Sequence, residues 1–211
     1  MKTFFISALL VAFSSTAFAA EGGPVVANVQ KKVPLPAKNT VIPPVVREAY
    51  EYYEVCGCCE ADLKGELKQK CITWKDRRKY DAMTSWKVKW DYGHNRAGQT
   101  CSADSFTVTV NVRYHLPKWA KPAEAPQELI GKWESYTKNL LTHENGHRDR
   151  AVEAAAELTR TVADLPPFSS CTELDREVNI ISRAQMKKLE MEQQQYDRET
   201  DHGAAQGARF P

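Results

Sequence analysis

From Leu129 to Val162 the chain keeps one helical period without a proline: Leu129, Trp133, Tyr136, Leu140, His143, His147, Ala151, Ala154, Leu158 and Val162 recur at steps of three or four. A single long amphipathic helix follows, opening after Pro126 and stopping at "DLPPFSSC". The rest of the fold must be built against it. Its apolar stripe contains the stretch "NLLTHENGHRDRAVEA", residues 139–154, with two histidines four apart and a glutamate after the first. Placed inward at this spacing, His143 and His147 can bind one metal ion. Glu144, one step round the helix, can take a proton from water without being a ligand. This HExxH arrangement predicts Zn2+ as the cofactor.

Two stretches alternate with the period of a half-buried strand. In "TSWKVKWDYG", Trp86, Val88, Trp90 and Tyr92 share one face. In "SFTVTVNVRYHL", Phe106, Val108, Val110, Val112 and Tyr114 do the same. They read as antiparallel neighbours joined through the polar loop "GHNRAGQTCSAD". "YEYYEVCG" reads as a short strand and "CEADLKGELKQK" as a short helix, with Leu63 and Leu67 on one face. A second long helix opens near Thr172, where "TELD" resembles a capping box, and Gly203 suits its stop. The predicted fold is α+β: a small antiparallel sheet packed with two long helices that carry the zinc site. An extended peptide added at one sheet edge would suit a protease cleft.

The opening "MKTFFISALLVAFSSTAFAA" has the layout of a secretory signal peptide, with cleavage expected after Ala19 or one residue later. Its apolar run is shorter than the roughly 20 residues that span a bilayer, and no cysteine follows to carry a lipid. The expected organisation is a signal peptide over 1–19, a proline-rich arm over 20–46, a metallopeptidase-like domain over 47–203 and a loose tail over 204–211. The protein is therefore expected to be exported, periplasmic or extracellular, with no integral membrane segment after cleavage. Without Lys2 the chain holds 28 basic residues against 27 acidic ones. That balance points away from nucleic acid as a partner and leaves a peptide or protein substrate. The sequence leaves the oligomeric state open. Six cysteines in an oxidising compartment read as disulfides. Cys71 is expected to pair with Cys56, Cys58 or Cys59, and Cys101 and Cys171 to tie the sheet to the helical half.

A catalytic zinc site needs three protein ligands and one open position. Of the other histidines, His94 falls in the hairpin loop, His115 ends a strand, and His202 ends the second helix, which could return to the site by packing antiparallel. Asp197, Glu199 and Asp201 are alternatives, since zinc also takes carboxylate oxygen. Asp197 and Asp149 are candidates for orienting a ligating imidazole. The Tyr196 hydroxyl is a candidate oxyanion donor, with core packing as its other role.

The sequence resembles a bacterial family of predicted secreted zinc-dependent proteases, catalogued as a domain of unknown function. The resemblance covers roughly residues 50–203 and rests on "YYEVCG", "DAMTSWKVKW", Cys101, "LPKW", "HENGH", Cys171 and "YDRETDHG". The last string fits the family's Tyr-Asp-x-x-Thr-x-His-Gly ending, while the doubled cysteines of "CGCC" depart from its pattern. The resemblance implies His202 as third ligand and a zinc-dependent hydrolase with Glu144 as general base. A zinc amidase acting on cell-wall peptide and a non-catalytic secreted zinc-binding protein are the alternative functions.

Overall fold

The computed structural model describes residues 41–73, 77 and 79–211. The expected signal peptide and all but the last residues of the proline-rich arm lie outside them. In chain order the elements are β1 (Val45–Val55), α1 (Glu60–Lys70), β2 (Ile72–Thr73), β3 (Lys79–Tyr80), β4 (Met83–Ala97), β5 (Thr100–Trp119), α2 (Gln127–Ala163) and α3 (Cys171–Thr200). A short 3-10 turn, Ala204–Gln206, follows. The fold is α+β, as expected.

The main sheet runs β1-β5-β4, with β4 antiparallel and β1 parallel to β5. The expected antiparallel pair is present, and the parallel strand makes the sheet mixed. Alternation shows which face a strand buries but not which neighbour it takes. Phe106, Val108, Val110, Val112 and Tyr114 are buried on the core face, and Trp86, Val88, Trp90 and Tyr92 pack against that core. The "GHNRAGQTCSAD" stretch is not a loop. β4 and β5 stay paired until Ala97 faces Thr100, with a register shift between Asp91 and Gly93. Its polar composition reflects a ribbon mostly open to solvent rather than an absence of pairing. β5 also continues through Pro117, which pairs with Tyr53 of β1. The β4 pairing ends at Met83 opposite His115. Pro117 therefore lies where β5 has a neighbour on one side only, a place where a missing N–H is tolerated.

α2 is one continuous helix of 37 residues with its apolar stripe inward. α3 packs against it antiparallel, with Glu157 bonded to Gln185 and Lys188, and His147 to Gln193. The α3 cap sits two residues earlier than the sequence implied. Ser170 is the N-cap and its hydroxyl accepts from the Glu173 N–H at 3.2 Å. The expected loose tail is docked. Phe210 is buried against Trp133 and Tyr136 of α2, with ring centroids 5.8 and 5.4 Å away.

Cys101 and Cys171 form a disulfide that joins the start of β5 to the start of α3 across 70 residues of sequence. This is the tie between sheet and helices expected from the sequence. Beside it, Cys101 and Phe168 exchange two backbone hydrogen bonds, and Tyr92 and His94 both bond Asp175 at 2.7 Å. Closing a loop of that length stabilises a fold by about 4 kcal/mol in the chain-entropy account. Replacing both cysteines by alanine is expected to cost about 2–5 kcal/mol of unfolding free energy, measured by denaturant titration. A loss under about 1 kcal/mol would show that the backbone bridge and the Asp175 contacts suffice alone. The expected pairing of Cys71 is not formed: Cys56, Cys58, Cys59 and Cys71 are free thiols. Cys59 and Cys71 flank α1 at opposite ends, about 16 Å of helix apart, beyond disulfide reach.

Candidate metal centre

The centre forms where the middle of α2 meets the end of α3. His143 and Glu144 are buried and His147 is nearly so. The His143 and His147 Nε2 atoms point at one oxygen, Oδ1 of Asp197 on α3, at 3.4 and 3.1 Å. A donor atom from each of these residues lies within 4.8 Å of the others. A tetrahedral ion with bonds near 2.0–2.1 Å sets its ligand atoms about 3.3 Å apart. Two imidazole nitrogens and a carboxylate oxygen at these separations therefore suit zinc in donor type and in spacing.

Their outer atoms are fixed as well. Gln193 donates from Nε2 to the His147 carbonyl at 2.9 Å, and this sets its amide so that Oε1 faces His147 Nδ1. Gln206 Oε1 lies 2.9 Å from His143 Nδ1. Each imidazole thus turns Nδ1 outward to an amide oxygen and Nε2 inward, the orientation that a metal needs. Orientation of the imidazoles, expected of Asp197 and Asp149, comes from these two glutamines. Asp197 turns to the inner nitrogens instead. Asp149 is exposed and paired with Arg148 at 2.7 Å, because two residues past His147 the helix has rotated away from the site. Replacing Gln193 by leucine is expected to weaken metal binding about 10–100-fold with the fold retained. Competition with a chromophoric chelator would measure it, and an unchanged affinity would remove Gln193 from the site.

Burial pushes the Asp197 carboxyl up, but hydrogen bonds from His143 and His147 and the nearby His202 outweigh it and hold it well below the usual carboxylate range. Burial lowers His147, and Asp197 more than restores it, so its pKa is raised. Burial raises Glu144, and a hydrogen bond from Thr84 and the two imidazoles offset only part of that. Thr84 of β4 donates its hydroxyl to Glu144 Oε2 at 2.6 Å, a contact that periodicity alone does not reveal.

His202 reaches the same carboxylate oxygen, its Nδ1 3.7 Å from Asp197 Oδ1. It gets there by a sharp reversal at the end of α3, where Asp201, His202 and Gly203 take φ of 48°, 48° and 83° in succession. Gly203 also lies against His143, and a Cβ there would sit 2.9 Å from its Cγ. The other carboxylates stand apart. Glu199 is exposed and bonded to Gln195, and Asp201 faces Arg209.

Tyr196 is not placed as an oxyanion donor. Its ring is buried and stacked on His143 at 4.9 Å, and its hydroxyl donates to the His143 carbonyl at 3.2 Å. Gly146 makes room for it, since a Cβ at that position would lie 2.1 Å from the hydroxyl oxygen. The Arg150 guanidinium covers the ring at 3.6 Å. Tyr196 is thus the packing that its alternative role described.

The inner side of the centre opens on a cavity of about 1050 Å3, lined by Glu144, Thr84, Trp86, His202 and the segment Lys79–Met83. Tyr53 pins that segment by donating to the Asp81 carbonyl at 2.7 Å, and Tyr136 by donating to the Asp81 carboxylate at 2.8 Å.

The family described as "Bacterial protein of unknown function (DUF922)" matches residues 50–203. No curated protein and no solved structure matches the chain.

Proposed function

For a chain that belongs to this bacterial family of unknown function, we propose the activity of an exported zinc-dependent metallopeptidase. The observation that carries it is the convergence of His143 Nε2 and His147 Nε2 on Asp197, with the buried Glu144 beside them in one open cavity. His143, His147 and Asp197 would hold the ion, with His202 next to Asp197 as a further donor. Bound there, zinc would supply a lowered pKa for water and polarisation of a peptide carbonyl.

The chain's own residues do the rest. Glu144 takes the proton from the attacking water and passes it to the leaving amine. Thr84 holds the carboxylate in place for both transfers. The raised pKa of Glu144 suits a group that must accept and then release a proton. The cavity, about 1050 Å3, lies just above the range for small-molecule sites, roughly 300–1,000 Å3, which suits a stretch of polymer. The start of β4, Met83 and Thr84, lines its wall and offers an edge for a peptide. The Cys101–Cys171 disulfide supports export. Among the described residues no helix is long and apolar enough to cross a membrane.

The test is hydrolysis of casein by the purified chain. A chelator is expected to abolish it and one equivalent of zinc to restore it. Casein left intact while purified peptidoglycan is cut would make the enzyme a cell-wall amidase. No hydrolysis of either by zinc-loaded protein would leave a metal-binding protein without peptidase activity.

A further inference from the structure

The sheet has two outer edges of different build. That of β4 carries Lys87 and Lys89 and the register shift between Asp91 and Gly93. Such lysines and bulges keep sheet edges from pairing with other chains. Residues 45–55 of β1 contain no lysine and no proline, and they pair with β5 without a shift. Among the described residues no strand covers the outer edge of β1. Val45, Val46, Tyr50 and Tyr52 on it are 49, 39, 45 and 57% exposed. Apolar side chains along a long open edge mark a place where another strand adds.

The order of residues in β1 identifies the strand. Laid antiparallel on a second copy of itself about Ala49, it sets Arg47 opposite Glu51 twice, once on each side of the axis. The same register sets Val46 opposite Tyr52 and Val45 opposite Tyr53. Opposite charges and aromatic against β-branched side chains are the stabilising cross-strand pairs. Moving the axis to Glu48 or to Glu51 puts two carboxylates face to face. Moving it to Tyr50 sets Arg47 against Tyr53 and loses both ion pairs. One register is therefore selected, and it is self-complementary, as a two-fold interface requires. Within its own chain Glu51 is held by Arg113 at 3.2 Å, while Glu48, held by Arg148 at 3.2 Å, faces Tyr50 in this register and takes no part in the ion pairs.

We propose that two copies of this chain join edge to edge by antiparallel pairing of β1 about Ala49, so that two three-stranded sheets become one of six strands. The occupant of the edge is a second copy, and the pairing is independent of any activity at the metal centre.

Light scattering on the exported chain over a range of concentrations tests it. The wild type is expected at twice the chain mass. Arg47→Glu and Glu51→Arg each place like charges opposite and are expected to give monomers. The double variant restores both ion pairs and is expected to return to the dimer. A second measurement covers a variant that fails to fold. Opposed residues of antiparallel strands have Cα atoms about 4.5–5.5 Å apart, within disulfide range. Ala49→Cys, with Cys56, Cys58, Cys59 and Cys71 changed to serine, is expected to form a covalent dimer on oxidation, and Lys89→Cys in the same background is not. A wild type that stays at the chain mass overturns the proposal. So does a dimer indifferent to both charge reversals, or a monomer whose β1 edge takes up an unrelated extended peptide.

Discussion

Glu144→Gln is expected to lower peptidase turnover at least about 100-fold while leaving the zinc content unchanged. Glutamine fills the same volume, and its amide oxygen can still accept from Thr84, which bonds the carboxylate at 2.6 Å. What it loses is the ability to carry a proton. The substitution also removes an ionisable group from a buried position that disfavours its charge, so the fold should not suffer. Casein hydrolysis and metal analysis on the same preparation separate the two effects. Full activity in the variant would remove Glu144 from the chemistry. Loss of activity together with loss of zinc would give it a structural part in the centre instead.

The second large effect concerns the third ligand. Asp197→Ala is expected to lower zinc occupancy sharply, by more than tenfold in affinity, and His202→Ala to lower it less. Asp197 lies 3.4 and 3.1 Å from the two inner imidazole nitrogens, whereas His202 stands 3.7 Å from Asp197 with a third of its side chain exposed. Mass spectrometry of metal content on wild type and both variants decides between them. Zinc retained by Asp197→Ala and lost by His202→Ala would make His202 the third ligand, as the family resemblance implied, and Asp197 a group that orients it. Zinc absent from all three after reconstitution would undo the metal reading altogether.

The elements that carry the centre were legible in the sequence because they obey a period. The stripe of α2 put His143 and His147 inward, and the alternation of β4 and β5 named the core face of the sheet. The antiparallel return of α3 followed from the need to bring its end back to α2. Contacts without a period were not legible. Gln193 stands in a polar run of α3, and Gln206 in a tail whose only large apolar residue is Phe210. Both act by facing an imidazole, which depends on tertiary packing alone. Thr84 opens a strand next to Met83 and signals nothing until α2 lies across it. Asp149 and Tyr196 were read from proximity in sequence. The rotation of α2 carried one away, and the space at Gly146 drew the other into the core.

The docked tail also bears on the order in which the molecule is completed. Gln206 stands 63 residues beyond the His143 that it supports, and Asp197 only nine residues before Gln206. A chain growing from its N-terminus presents two imidazoles long before it has anything to close round an ion. A nascent or truncated polypeptide ending before Asp197 therefore has a helix with two donors and no trap. On the proposed reading, tight capture of an ion would wait for α3 to fold back and for Phe210 to seat, which would tie metal uptake to the final stage of folding. If the chain is exported unfolded, as proposed, that order would place loading after its transfer across the membrane.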